Sequence, residues 1–525
     1  MKIRLLLVGV LLMAVVASVA AQVSQARIDS LMETSMKEFN VIGAAIVVID
    51  NGKIICEKGY GVKSITTKAP VDPLTNFQIA SNSKAFTAAA LSILVDEGKI
   101  SWTDKVIKYI PEFKMYNDYV TQNFIIEDLL CHRSGLSLGA GDLMEFPDGG
   151  DFTIQDVLTN FQYFKPASPF RTKWDYDNQL YIVAGELIKR VSGMSWETFI
   201  KTRIFAPLQM NNSYPMNTYI PDFSNVATPH VVSAKEKRTI ALYDFGTKMN
   251  GAAGGIFSNA TDLAKWLQLQ LNGGKYGPQL KETLFTPARQ KEMWSTHTVM
   301  DASYGPRYKS RFKGYGLGWE LEDKNGNFTV EHTGGLDGML SIVRMIPEKN
   351  FGIAILTNTQ NGGIYLAYAV ANTISDAYLK AAPLDWISTY SKAYQNVQSH
   401  SDSVTAKVWK TVASNKQVKI RNEDYIGIYE DKWFGKGEVF LKNGQLWFRF
   451  YRSPKLNGPM QFYKANTFAI PWEYKGMDAD AFALFSLDEE GKAQSIKMKG
   501  ISPNIDFSFD FQDLDLQRVP EKSGQ

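Results

Sequence analysis

The feature that most limits what this chain can fold into is a sheet signal split by a long helical stretch. Ala44-Ala45-Ile46-Val47-Val48-Ile49-Asp50 is an almost unbroken apolar run; Asn51-Gly52 follows it, then Ile54-Ile55-Cys56. β-Branched side chains fit a pleated surface, and Asn-Gly readily supplies the backbone of a tight turn, so the pair reads as a hairpin. An amphipathic helix precedes it over residues 25–39, with Ile28, Leu31, Met32, Met36 and Phe39 as its apolar positions. Strand signals return at Phe328–Glu331, Met339–Met345 and Phe351–Leu356. In between, residues 80–270 read mostly as helices and loops, with helical patterns at Thr153–Phe161, Leu180–Val191, Ser195–Ile204 and Ala260–Leu271. This order predicts an α/β (α+β) domain: a mostly antiparallel sheet flanked by helices, with an inserted helical lobe.

Past that domain the pattern changes twice. From about Leu384 to Asn415 the chain is polar and helix-like, which we read as a linker. From Tyr425 short strand-like runs alternate with turn pairs such as Asn443-Gly444 and Glu490-Gly491, predicting a small all-β barrel or sandwich. Trp433, Phe434, Trp447, Phe448, Phe450, Tyr451, Phe462, Tyr463, Trp472 and Tyr474 crowd this region. Core packing is the favoured reading of these rings over a sugar or peptide site. The expected divisions are 1–21, 22–380, 381–418 and 419–525.

Composition removes several functions. The chain has 525 residues, 45% hydrophobic and 21% charged, ordinary for a globular protein with room for two domains. Lys2 and Arg4, the apolar run Leu5–Val16 and the small residues Ser18-Val19-Ala20-Ala21 read as a signal peptide cleaved near Ala20-Ala21. The expected location is therefore periplasmic or secreted, with no stable membrane anchor, since the run is short and no cysteine follows it. Loss of Lys2 and Arg4 takes the formal charge from +3 to +1, and no basic patch suggests nucleic acid as a partner. Cys56 and Cys131 are expected as buried free thiols rather than a disulfide. Five scattered histidines, without HExxH or CxxC, give no reason to expect a metal or other cofactor.

The chemistry begins at Ser81-Asn82-Ser83-Lys84. Apolar Phe77, Ile79 and Ala80 precede it, and Phe86, Ala89, Ala90, Ile93 and Leu94 continue a helical pattern to about Gly98, so a helix is expected to start on Ser81. Residues three apart on a helix share a face, which puts a hydroxyl and an amine together beside the N–H groups of a helix start. Nucleophilic catalysis at serine uses that combination. Ser-x-x-Lys alone is cheap: Ser310-Arg311-Phe312-Lys313 repeats it without a helical pattern, and we read that copy as chance. Two other segments could complete a site. Tyr176-Asp177-Asn178 precedes the helical pattern at Leu180, and His332-Thr333-Gly334-Gly335 ends a strand signal where small residues allow close approach. Tyr394-Gln395-Asn396, in the polar linker, is a decoy for the first of these.

Ser81-x-x-Lys84, Tyr176-x-Asn178 and His332-Thr333-Gly334, in that order, resemble the class C type of β-lactamase-related serine hydrolases, whose relatives include D-amino-acid peptidases, DD-carboxypeptidases and esterases. Leu129–Leu136, Ala252-Ala253-Gly254-Gly255 and Tyr315-Gly316-Leu317-Gly318-Trp319 extend the resemblance over roughly residues 25–375. The region Tyr425–Val519 is similar, more loosely, to a β-barrel appendage found behind such domains. The resemblance implies that Ser81 is the nucleophile, that Lys84 or Tyr176 takes its proton, and that Tyr176 later activates water. It implies that Asn178 orients Lys84 and substrate, and that the N–H groups of Ser81 and Gly335 form the oxyanion hole. His332, Thr333, Gly334 and Gly335 would then contact substrate. The family's third motif usually begins with lysine in true β-lactamases. Histidine, mostly neutral at pH 7, grips a substrate carboxylate less well. That favours a peptidase or esterase over a β-lactamase or carboxypeptidase, acting on a small molecule or short peptide. His332 as a packed strand-end residue is the alternative, and for His132 the structural reading is favoured. A binding or sensor protein with little turnover is the rival from another class. The C-terminal domain is expected to cover the cleft and set substrate length. Oligomeric state is left open.

Overall fold

A computed structural model describes residues 23–520, apart from 234–237, 243–248, 250, 303–305, 416, 417, 419, 475, 477 and 478. The expected signal peptide lies outside the described residues. Eight strands form one antiparallel sheet in the order Lys53–Gly61, Gly43–Asp50, Phe351–Thr357, Met339–Ile346, Asn327–Leu336, Glu320–Lys324, Lys313–Tyr315 and Thr298–Met300. The split signal is thus one sheet: Gly43–Asp50 pairs its hairpin partner on one side and Phe351–Thr357 on the other, with Val47 opposite Ala354. Asn51 (φ 47°) and Gly52 (φ 76°) make the expected tight turn.

Alternation along the central strands sends side chains to two separate cores. Ile46, Val48, Ile353 and Ile355 pack on one face with Ile28, Leu31 and Met32 of helix Gln25–Glu38 and Leu366, Val370 and Ile374 of helix Gln360–Tyr378. Val47, Ile49, Ala354 and Leu356 face the other way, towards helices Ser83–Asp96 and Ala260–Leu271 and the inserted lobe. A strand covered on both faces needs the continuous apolar run seen in the sequence.

Helix Ser83–Asp96 lies at the centre of the molecule, with every residue from Ser83 to Leu94 buried. Phe86 stacks on Trp266 with ring centroids 3.8 Å apart. In the lobe, the fully buried carboxylate of Asp128 accepts Nε of Arg133 at 2.7 Å and NH2 of Arg171 at 2.6 Å. Those pairs tie the Leu129–Leu136 stretch to the loop leading to Tyr176.

Helix Trp386–Ser414 connects to a nine-stranded antiparallel sheet that runs from Asn457–Pro459 through Gly427–Asp431 to Gln461–Lys464. Its two edge strands are separated in the chain by Met460, so the sheet curls almost shut into a barrel. Trp433, Phe434, Phe448, Phe450 and Trp472 are buried in its core, whereas Tyr451 is 44% exposed.

Phe86→Ala should remove the ring that holds the central helix against Trp266. We expect a loss of about 3–5 kcal/mol, read from urea unfolding; a loss under about 1 kcal/mol would mean that the helix is held by other contacts.

Candidate active site

The chain turns sharply before it becomes helical. Ala80 has φ 49°, a left-handed backbone that costs an alanine about 1–2 kcal/mol, and Ala80–Asn82 form a 3-10 turn ahead of helix Ser83–Asp96. The helix therefore starts two residues later than its apolar pattern suggests. Ser83 is the buried, structural serine, with its Oγ accepting the Ile256 N–H at 3.1 Å. Ser81, in the turn, lines a cleft of about 440 Å³.

Lys84 is fully buried beneath Ser81. Its Nζ donates to Asn178 Oδ1 at 2.7 Å and to the Ala253 carbonyl at 2.9 Å, and it lies 3.1 Å from Ser81 Oγ. The first two partners are carbonyl oxygens, which only accept; a hydroxyl can also donate. A neutral Lys84 can thus keep two N–H bonds and offer its lone pair to the Ser81 hydroxyl. Burial lowers the pKa of Lys84 to about 7, although Asp142 and Asp177 pull the other way.

Tyr176 borders the same space, with its ring centroid 4.8 Å from Lys84 Nζ. Its hydroxyl is buried and makes no hydrogen bond of ordinary geometry to the described residues. Burial raises the phenol well above its usual pKa, against a smaller lowering by Ser81 beside it. The nearby lysine therefore does not make Tyr176 a ready phenolate. Asn178 is oriented by Asp142, whose Oδ2 accepts Nδ2 at 2.8 Å.

Ser81, Tyr176, Asn178, His332, Thr333, Gly334 and Gly335 all line the one cleft. Their parts in it differ from the expectation in two places. The close approach expected at the glycine pair is, at Gly334, that of the chain's own backbone. A Cβ there would stand 2.1 Å from the Ile79 carbonyl oxygen and 2.4 Å from Ser341 Oγ. Gly335 is exposed, and a Cβ on it would meet only Leu340 Cδ1 at 3.3 Å. The second difference is at His332. Its Nδ1 lies 2.6 Å from the Thr333 carbonyl, which makes Nδ1 the protonated nitrogen, and Nε2 accepts the Tyr315 hydroxyl at 2.7 Å. Burial, with Lys84 nearby, lowers its pKa to about 3, so the ring is neutral with both nitrogens occupied.

His132 is also buried, with φ 57°; its Nδ1 accepts the Asp177 N–H at 3.1 Å and its ring packs 4.2 Å from that of Tyr176. It shapes the loop that presents Tyr176. The decoys are elsewhere. Lys313 pairs with Glu320 at 2.9 Å on a strand, and Tyr394 packs on Tyr365 in helix Trp386–Ser414. Sequence reasoning missed Asp142 and the Asp506-Phe507-Ser508 segment that also lines the cleft, and gave Tyr315, named only in a flanking motif, no contact with His332. Apart from Lys84 beneath Ser81, no cation is among the described residues lining it. Cys56 and Cys131 are buried free thiols. No group of three His, Cys, Asp or Glu among the described residues is placed to hold a metal.

An antiparallel sheet flanked by helices, with serine, lysine and tyrosine converging on one cleft, is the arrangement of a serine hydrolase. The chain belongs to the beta-lactamase family, whose model matches residues 28–373. Residues 419–518 match a domain of unknown function, DUF3471. The chain is 27% identical over 410 residues to unguisins hydrolase ungD′ of Aspergillus campestris, covering 73% of this chain and 71% of that protein. It is 28% identical over 357 residues to protein flp of Staphylococcus aureus strain MW2, covering 64% of this chain and 63% of flp, less than two thirds of that relative. Among solved structures, the octameric penicillin-binding protein homologue from Pyrococcus abyssi matches with TM-score 0.57 at 21% identity, over 94% of this chain and 99% of that one. The crystal structure of SurE matches with TM-score 0.54 at 18% identity, over 94% and 98% of the two chains. These two likenesses bear on the fold.

Gly334→Ala should force the strand away from Ile79 and Ala80 and displace the Ser81 turn. We expect a loss of about 3 kcal/mol or more in stability and much slower labelling by a fluorophosphonate probe. Gly335→Ala should keep the stability, and equal behaviour of the two variants would contradict the close packing at Gly334.

Proposed function

We propose that this chain is an exported serine hydrolase that cleaves an amide or ester bond through an acyl-Ser81 intermediate. The carrying observation is the set of partners around Lys84 Nζ, two acceptor-only carbonyls and the Ser81 hydroxyl. That pattern favours Lys84 over Tyr176 as the base for acylation. As Ser81 Oγ bonds to the substrate carbonyl carbon, its proton passes to Lys84, and the N–H groups of Ser81 and Gly335 hold the oxyanion. Tyr176, kept protonated by burial, gives its proton to the leaving nitrogen or oxygen as that bond breaks. In deacylation the Tyr176 phenolate takes a proton from water as the water oxygen bonds to the acyl carbon, and Lys84 returns its proton to Ser81 Oγ as the bond from that carbon to Oγ breaks and the acid leaves. Both groups end as they began.

For substrate, D-amino-acid-containing peptides or amides rank first, short esters second and β-lactams third. The occupied, neutral His332 supports placing β-lactams last, because it adds no charge for a substrate carboxylate and the lining instead carries Glu145, Glu320 and Asp506. Much of the rest is apolar, with Leu138, Phe146, Trp174 and Phe507 among the walls. The named hydrolase among the relatives is consistent with turnover rather than a sensor.

The test is a panel of D- and L-aminoacyl amides, short-chain esters and β-lactams, run on wild type and Ser81→Ala. Turnover should fall by about 10⁴-fold or more in the variant, and retention of activity would sink the proposal. A stable acyl adduct without turnover on any member would favour a sensor. The pH profile checks Lys84 separately. Below its pKa of about 7 the ammonium cannot accept the Ser81 proton, so kcat/KM should rise with pH through that region. A flat profile between pH 5 and 8 would remove Lys84 as the base.

A further inference from the structure

Among the described residues of the C-terminal domain, Asp506, Phe507 and Ser508 line the cleft. Ser508 Oγ donates to Asp142 Oδ2 at 2.9 Å, the same oxygen that accepts Asn178 Nδ2 at 2.8 Å. Gln179 Nε2 approaches the other oxygen of Asp142 at 3.4 Å. Two residues further on, buried Asp510 accepts the N–H groups of Gly141 at 2.9 Å and Leu143 at 2.8 Å, one on each side of Asp142. Phe507 lies edge-on to Tyr176, with centroids 5.9 Å apart. The same segment fixes the backbone around Asp142 and supplies a hydrogen bond to its side chain.

We propose that Asp142, held by Ser508 of the C-terminal domain, is a positioning residue that fixes the amide of Asn178 and through it the orientation of Lys84. An asparagine amide can turn either end towards a neighbour, and only one orientation works here. Burial raises the pKa of Asp142 to about 7, while its hydrogen bonds to Asn178, Ser508 and Gln179 favour the charged form; as a carboxylate it accepts and does not donate, so it takes Nδ2 and leaves Oδ1 for Lys84. Turned over, the amide would point N–H donors at the N–H donors of Lys84. When ionised, Asp142 also acts on Lys84 through charge, favouring its ammonium form, and the two groups titrate over the same range near pH 7. The other titratable groups around this pair are Asp177, Asp510, His132, His332, Tyr176 and Tyr181. This inference rests on the proposed role of Lys84.

The experiment uses the full chain with Asp142→Asn, Ser508→Ala, Ser508→Thr and Ser81→Ala, and the best substrate of the panel. Misplacing a catalytic group by about 1 Å costs roughly a hundredfold, so Asp142→Asn should lower kcat by about tenfold to a hundredfold while KM changes little. With the negative charge gone, the acid limb of kcat/KM should move to lower pH. Ser508→Ala should move both readouts the same way by less, and Ser508→Thr, which keeps the hydroxyl, should recover most of the difference. A merely structural role would lower the thermal midpoint and the folded fraction without moving the limb. Wild-type kcat and acid limb in Asp142→Asn would overturn the inference. If that variant does not fold, wild-type behaviour of Ser508→Ala overturns it instead. Loss of activity in Ser81→Ala alongside a wild-type-like Asp142→Asn would sink only this inference. Activity retained in Ser81→Ala would sink the underlying mechanism.

Discussion

The site depends on one buried amine. Lys84 sits in the interior on a helix whose neighbours are mostly apolar, and an uncompensated charge there would be costly. Among the described residues no carboxylate bonds to it; the Nζ partners are an amide oxygen, a backbone carbonyl and a hydroxyl. Those groups satisfy the amine without fixing it as an ammonium. Burial draws its pKa into the neutral range, while Asp142 and Asp177, acting from further away, limit the fall. A direct carboxylate would have locked the proton on. A wholly apolar setting would have left the N–H groups unsatisfied.

Holding those partners explains much of the surrounding packing. The Ala253 carbonyl is placed by Ala252-Ala253-Gly254-Gly255, which is tied to the central helix by Thr87 Oγ1 on the Ala252 carbonyl at 2.7 Å and by Ile256 N–H on Ser83. Gly318 stands so close that a Cβ would be 2.9 Å from the Lys84 carbonyl oxygen. On the other side, Gly334 lets strand Asn327–Leu336 cross the Ser81 turn, and Ser341 Oγ donates to the Ile79 carbonyl at 2.8 Å. The left-handed Ala80 is kept in its strained backbone by this crossing. His332 belongs to the same arrangement. Its neutral ring sits near Lys84 without adding a second cation.

The legible parts of this structure are those whose cause is local. The β-branched run and the Asn-Gly turn gave the hairpin, and the helix at Ala260–Leu271 follows its apolar period residue for residue. Ser81 and Lys84 were readable because three residues on a helical stretch bring them to one side. The delayed helix start was not readable, because the positive φ of Ala80 is imposed by the strand that crosses it and alanine carries no such preference. The Ser310 decoy lacked a helix, and the finished sheet turns Lys313 towards Glu320. Asp142 left no local signal: it opens a short 3-10 turn, Asp142–Met144, and its partner Ser508 is 366 residues away.

That distance also bears on the second domain. A barrel with its own aromatic core could fold beside the hydrolase domain without affecting it. Here, however, the segment from Asp506 to Asp510 extends from the barrel to the cleft, where Phe507 narrows the space beside Tyr176 and Ser508 meets Asp142. Ser137 Oγ adds a bond to Asp513 at 3.0 Å, and Arg452 pairs with both Asp151 and Asp156. These contacts fall on the segments flanking the Asp142–Met144 turn and on the start of helix Ile154–Asn160. The barrel therefore bears on the cleft's shape through Phe507 and on the amine through Asp142 and Asn178. A substrate must fit the space that both domains leave, so cleft shape and amine environment are set by one interface.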